Sequence, residues 1–140
     1  MNTSPPYWRI FIVLSGLAIL SPLALDTFLP AVDNAAKNLN TDIGSIMISF
    51  GVLSFGGALG QIIHGPLSDR YGRKPVIVWG LIFFIMTSFL TAFVTSIDFF
   101  YTLRFIQGLA VAATMIVMRS IVRDLFNVKQ GAALFSKLFI

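Results

Sequence analysis

Apolar positions along the chain gather into long runs broken by short polar stretches. Ile10 to Leu29, Ile43 to Ile63, Val76 to Val94 and Phe99 to Met118 each hold about 20 residues, and the only charges inside them are Asp26 and Arg104. At 1.5 Å of rise per residue, a helix of that length crosses the roughly 30 Å of a bilayer's hydrocarbon. The pattern predicts an all-α integral membrane protein with four transmembrane helices at about 10–29, 43–63, 76–94 and 99–118. Residues 1–9 precede them, a polar loop follows at 119–131, and residues 132–140 open a fifth apolar helix. The breaks between the runs are short and carry turn or helix-start residues such as Asn40-Thr41-Asp42, so successive spans are expected to run antiparallel.

Composition removes the soluble alternative. Only 11% of residues are charged, against roughly 25% in an ordinary soluble domain, while 56% are hydrophobic and the mean hydropathy is +0.86. The net charge of +4 is what loop bases on one side of a membrane produce, and it does not call for a nucleic-acid partner. With no cysteine, the chain offers neither disulfides nor thiolate metal ligands. Arg9 ahead of the first run is compatible with a cleaved signal peptide. That run is longer than a usual signal core and no small-x-small site follows Pro30, so the segment is expected to stay attached.

Lys and Arg set the direction. Arg9, then Arg70, Arg73 and Lys74, then Arg119, Arg123, Lys129 and Lys137 fall on one side of the four spans, and only Lys37 falls on the other. The bias places the N-terminus and the Gly65–Pro75 loop in the cytoplasm.

That loop, GPLSDRYGRKP, concentrates much of the chain's scarce charge. Read by itself it is a capped turn, with Gly72 at a positive φ, Pro75 opening the third span and a surface pair between Asp69 and Arg73. Gly65-x-Leu67-Ser68-Asp69-Arg70-x-Gly72-Arg73-Lys74 also resembles, nearly position for position, the loop signature of the major facilitator superfamily. Leu103-Arg104-Phe105-Ile106-Gln107-Gly108 is similar to that superfamily's fourth-span motif, and Leu25-Asp26-Thr27-Phe28-Leu29-Pro30 to the first-span ending of its drug:proton antiporters. With Arg119-Ser-Ile-Val-Arg123-Asp124-Leu-Phe, the set most resembles the Bcr/CflA multidrug efflux branch, from about Leu20 onward.

The resemblance implies the six-helix N-terminal half of a twelve-span fold. The chain reaches only the opening of a fifth span, so it is expected to be a fragment of a longer transporter. The alternative is a truncated product unable to alternate access alone. The resemblance further implies that Gly65 admits a helix from the other half, and that Asp69, Arg73 and Asp124 form a charge cluster latching the cytoplasmic side. Arg70, Gly72 and Lys74 complete that gating loop.

Asp26 and Arg104 each cost about 2.5 to 3.5 kcal/mol to place inside a membrane on insertion scales. Both lie near the outer ends of their spans, where they have room to snorkel outward. Because the two spans run in opposite directions, the residues also sit at similar depth and are expected to face each other across a water-accessible cavity. A carboxylate there, changing its proton occupancy with conformation, suits proton-coupled exchange. Pro22 permits a kink one turn before Asp26. Gly56 and Gly60 in the second span, and Gly108 with Ala112 in the fourth, are expected to let helices pack closely. Phe28, Phe50, Phe55, Phe105, Met47, Met115 and Met118 are candidates to line an apolar drug cavity or to pack against lipid. His64 is read as structural.

No zinc-binding H-E-x-x-H and no phosphate-binding G-x-x-x-x-G-K-[ST] occurs, and neither an enzyme nor an ATP-driven pump is expected. No cofactor or metal is expected either. The expected function is proton-coupled efflux of small, largely apolar drugs across a bacterial inner membrane, by a protein that works as a monomer when complete. A nutrient or metabolite symporter of the same superfamily, and a non-transporting four-span protein, are the alternatives.

Overall fold

The computed structural model describes residues 7–26 and 28–125. The polypeptide forms α1 (Tyr7–Asp26), a 3-10 turn (Leu29–Ala31), α2 (Val32–Asn38), α3 (Ile43–Tyr71), α4 (Arg73–Thr91) and α5 (Ile97–Leu125). Among the described residues α3, α4 and α5 are long and apolar enough to cross a membrane. The helix expected at 132–140 and the last part of the 119–131 loop lie outside the described residues.

Chain punctuation explains where the elements begin and end. α2 closes with Asn40 at φ 49°, where the Thr41 N–H reaches the Ala36 carbonyl at 2.9 Å and the Asn40 N–H reaches that of Lys37 at 3.2 Å. This is the paired-bond ending that a left-handed residue permits. Asp42 then caps α3: its Oδ2 accepts from the Ser45 N–H at 3.0 Å, and its Oδ1 from the Ser45 hydroxyl at 2.6 Å. Those bonds hold the Asp42 carboxyl below the usual carboxylate range.

Three boundaries differ from those expected. The stretch between the first and second spans is folded, with α2 supplying Val32, Ala36 and Leu39 to a core shared with Ile46 and Phe100. The loop expected from Gly65 to Pro75 is helix almost throughout: α3 runs on through Pro66 to Tyr71, and Gly72 alone separates it from α4. α5 likewise continues past Met118 to Leu125, so the first part of the expected 119–131 loop is helix. A proline inside a helix removes one hydrogen bond, and its neighbours are free to hold the helix together. Gly72, at φ 90° and ψ 164°, adopts a conformation open essentially to glycine, and that is where α3 stops. Pro75 accordingly sits third in α4, not first, at a position whose N–H has no partner within the helix.

α5 is the centre of the bundle. It packs on α1 through Leu14, Ala18, Met118 and Val122, and on α4 through Val76, Ala113 and Val117. Against α3 the contact is made at backbone distance. A β-carbon on Gly56 would strike the Phe105 carbonyl, and one on Gly108 would strike that of Leu53. One on Gly60 would lie 2.6 Å from the Ala112 methyl. The buried positions of α3, Ile46, Ser49, Leu53, Gly56 and Gly60, recur at spacings of three and four, the seam of a helix pressed along one line. Gly80 plays the same part for α4, its missing β-carbon lying 2.7 Å from the Ala113 methyl. Where lipid offers no hydrophobic gain between helices, such close approach supplies the attraction.

Candidate functional site

α3 and α5 run parallel, with α4 antiparallel between them in sequence. Both long helices have 29 residues, about 43 Å at 1.5 Å each, and so outrun the hydrocarbon layer. Their C-terminal turns project past the apolar stretch at the same end of the bundle, where α4 begins. This places the charged residues of three helices side by side.

Arg73 in the first turn of α4 ties them. Its Nη1 donates to Ser68 Oγ at 3.2 Å and to Asp69 Oδ1 at 3.3 Å, both on α3, while Nη2 donates to Asp124 Oδ2 on α5 at 3.0 Å. Arg123 Nε stands 3.9 Å from the second oxygen of Asp124. One turn deeper, Arg119 Nη1 donates to Gln61 Oε1 at 3.4 Å, a second link between α5 and α3. The side chains of Arg73, Asp124 and Asp69 are 27%, 49% and 66% exposed. Pairs this exposed are worth under about 1 kcal/mol each, too little to hold three helices together but enough to weight one arrangement over another. Arg70 and Lys74 stand outside the cluster and are exposed, with the Arg70 guanidinium 5.3 Å above the Tyr71 ring. Nothing lies within 4 Å of where a Gly65 β-carbon would be, so no described helix uses that gap.

The second locus lies inside the membrane portion. Arg104 is 5% exposed and Gln107, one turn further along α5, is 4% exposed. Arg104 Nη1 donates to Gln107 Oε1 at 3.3 Å. The amide nitrogen of Gln107 reaches across to α4, donating to Thr91 Oγ1 at 3.2 Å and Ser88 Oγ at 3.4 Å. The Thr91 hydroxyl in turn donates a hydrogen bond to the Thr87 carbonyl at 2.7 Å. Around the guanidinium stand three phenyl rings: Phe28 at 3.9 Å, Phe100 at 5.3 Å and Phe50 at 6.0 Å from ring centre to Cζ. A desolvated cation over an aromatic face gains about 2 kcal/mol, so the rings share in carrying the charge.

Asp26 ends α1 and its side chain is exposed. The described contacts of Arg104 include Gln107 and the three rings. Pro22 lies inside α1, which continues through it as one helix. Of the candidate cavity residues, Phe28 and Phe50 surround Arg104, Met118 is buried against α1, and Phe55 is 60% exposed with Phe105 beside it. His64 donates from Nδ1 to the Gly60 carbonyl at 2.8 Å. Among the described residues, no group of three or more His, Asp or Glu side chains is placed to hold a metal ion.

Several polar partners were given no role by the sequence, Gln61 beside Arg119 among them. Ser68, 2% exposed, is hidden by the assumption of a loop, because only a continuous helix turns it inward beneath Arg73. Gln107 had a legible signal, since it stands at i+3 from the sole base in its span. Ser88 and Thr91 had none: hydroxyls are common in membrane helices, and which face they occupy depends on how α4 is rotated.

The family model described as Major Facilitator Superfamily matches residues 14–138. The chain is 33% identical over 138 residues to a bicyclomycin resistance protein homolog of Haemophilus influenzae, covering 99% of this chain and 35% of that protein. It is 32% identical over 130 residues to the multidrug resistance protein MdtL of Citrobacter koseri, covering 93% and 33%. A further relative, the uncharacterized MFS-type transporter YdgK of Bacillus subtilis, is 33% identical over 128 residues, covering 91% and 32%. The chain thus spans about a third of the length of these relatives. Long apolar helices locked through glycines and a match over most of the sequence make this multi-pass membrane polypeptide a member of the major facilitator superfamily, similar to its Bcr/CflA drug-resistance branch.

Proposed function

We propose that this chain supplies the opening helices of a transporter that exports small, largely apolar drugs in exchange for protons, by alternating access across a bacterial inner membrane. The observation that carries the reading is Arg104, a cation held almost fully buried inside a membrane helix by an amide and three phenyl rings, in a chain whose relatives are named for drug resistance. A scaffold protein has no use for so costly a charge.

In this reading the N-terminus and the Arg70–Lys74 turn are cytoplasmic, four helices of this chain cross the bilayer, and the complete protein works as a monomer. Asp26 carries the exchanged proton, and Arg104 supplies the fixed cation that makes proton and drug compete for one site. Asp26 stands at the end of α1, two residues before Phe28, whose ring lies on Arg104, and this placement supports pairing the two. Asp69, Arg73 and Asp124 latch the cytoplasmic side, and Gly65 leaves room for a helix of the other half.

The test is made in proteoliposomes holding the complete transporter and an imposed pH gradient. Asp26→Asn keeps size and hydrogen bonding but removes the titratable group. Drug binding is expected to persist and lose most of its pH dependence, while gradient-driven transport falls sharply. Transport at the normal rate with an unchanged pH profile overturns the assignment of Asp26.

A further inference from the structure

On the face of the bundle away from the charge cluster, α3, α4 and α5 enclose a groove of 570 Å³. Its floor is Ile106, Leu109 and Ala110 of α5, and its walls are large side chains: Leu67 of α3 and Trp79 and Phe83 of α4. It opens outward, since Trp79 is 60% exposed and Phe83 50%. It runs from Pro75 at the charged end to Phe83, eight residues or about 12 Å into the membrane portion of α4. Its mouth is Tyr71, with the Arg70 guanidinium above the ring. Lys74, exposed, immediately precedes the lining residue Pro75. Among the described residues neither Arg70 nor Lys74 enters an ion pair, whereas Arg73 between them is engaged by two carboxylates.

We infer that the groove is a binding site for an anionic glycerophospholipid, with an acyl chain lying along α4 and the phosphate between Arg70 and Lys74. Two physical arguments choose this occupant. Helices of this protein meet one another where glycine removes the side chain, at Gly56, Gly60, Gly80 and Gly108. The groove walls are bulky, and the one glycine there, Gly80, already has its open side filled by Ala113. Such a slot admits a flexible chain and refuses a helix about 10 Å across. Second, an acyl chain gains nothing hydrophobic by leaving its neighbours for a groove in the same bilayer. Selectivity therefore falls to the head group, and the two cations without a carboxylate partner, Arg70 and Lys74, select negative charge. This inference needs α3, α4 and α5 to span a bilayer; it does not depend on what is transported.

The experiment uses the complete transporter in detergent, exchanged with phosphatidylglycerol or phosphatidylcholine and weighed intact by mass spectrometry. One phosphatidylglycerol per polypeptide is expected to survive detergent washing at tenfold lower free lipid than phosphatidylcholine. The double variant Arg70→Gln, Lys74→Gln is expected to abolish the preference, and Ile106→Trp, which fills the floor, to lower retention of both lipids. Equal retention of the two lipids by the unaltered protein, or an unchanged preference in the charge variant, overturns the inference. A Trp79→Cys variant guards against misfolding of the others. Its thiol is expected to react with a lipid-soluble maleimide and to be shielded by phosphatidylglycerol. A thiol unreactive without added lipid would mean that another span of the polypeptide covers the groove, which also overturns it.

Discussion

Arg73 and Asp124, 51 positions apart, meet at 3.0 Å, and the contact joins the first turn of α4 to the last turn of α5. The same guanidinium holds Asp69 and Ser68 of α3 through its other nitrogen. One side chain thereby spans three helix ends, at a place where α3 and α4 are separated by a single glycine. Any sliding of α5 along the bundle must break or carry this contact.

In the complete transporter, Asp124→Asn is expected to resemble Arg73→Ala more closely than Asp69→Asn does, because the Asp124 bond is the shorter and less exposed of the two. Each change should leave expression and thermal stability nearly unaltered, as a surface pair is worth under about 1 kcal/mol, while slowing transport several-fold. The Arg73→Ala, Asp124→Asn double variant should lose less than the sum of the singles. Transport assays on all four proteins check this, and fully additive losses leave only a turn-capping role.

Gln107→Leu is expected to move the pH profile of drug binding in the complete protein, because the amide holds Arg104 from one side and Thr91 and Ser88 of α4 from the other. Gln107→Glu should act in a different sense by placing a carboxylate 3.3 Å from the guanidinium. Arg104→Lys restores charge without the planar fork and is expected to rescue Arg104→Ala only in part. If Gln107→Leu lowers stability alone and leaves the pH profile where it was, the residue is a packing element.

Gly56→Ala and Gly108→Ala are expected to destabilise by about 1–3 kcal/mol, since their added methyl groups meet backbone carbonyls that cannot turn aside. Gly60→Ala meets the Ala112 methyl and the Leu109 carbonyl and should cost a similar amount. At Gly65 an alanine meets nothing within 4 Å in this bundle. Thermal unfolding in detergent should therefore find the Gly65→Ala protein near normal, with any defect appearing in transport, where a helix of the other half is proposed to approach.

Asp42 gives α3 an acid-sensitive end. Its folded carboxyl is held below the usual range by the two Ser45 bonds, so the cap is fully present above an unfolded value of about 3.9 and is lost as the pH falls through the lower folded one. Protection of the Ser45 amide, relative to the exchange rate of an unfolded chain at the same pH, is expected to hold at pH 5 and to fall only below about pH 4. Asp42→Ala should show the low protection at both.

The orientation is checked by single cysteines in intact cells. Tyr71→Cys, at a position 60% exposed, should resist an impermeant maleimide added outside, and Ser96→Cys, exposed before α5, should react. The opposite pattern inverts the proposed topology.

The amino-acid sequence alone determined the class, the apolar spans of α3, α4 and α5, and the glycines that press α3 on α5. These depend on length, hydropathy and the absence of a side chain, and each is a local quantity. It also supplied the motifs that place the chain in its family and named Asp69, Arg73 and Asp124 as partners through that resemblance. Which residues of the turn are helical was decided elsewhere. The stretch from Gly65 to Pro75 reads as a loop, but a helix is held by the bonds on either side of Pro66, and it ends only at Gly72, where φ turns positive. The burial of Ser68, the reach of Gln107 to α4 and the phenyl cage over Arg104 follow from the rotation of each helix about its axis. That rotation is set by packing among helices distant in sequence, and no single run of residues contains it.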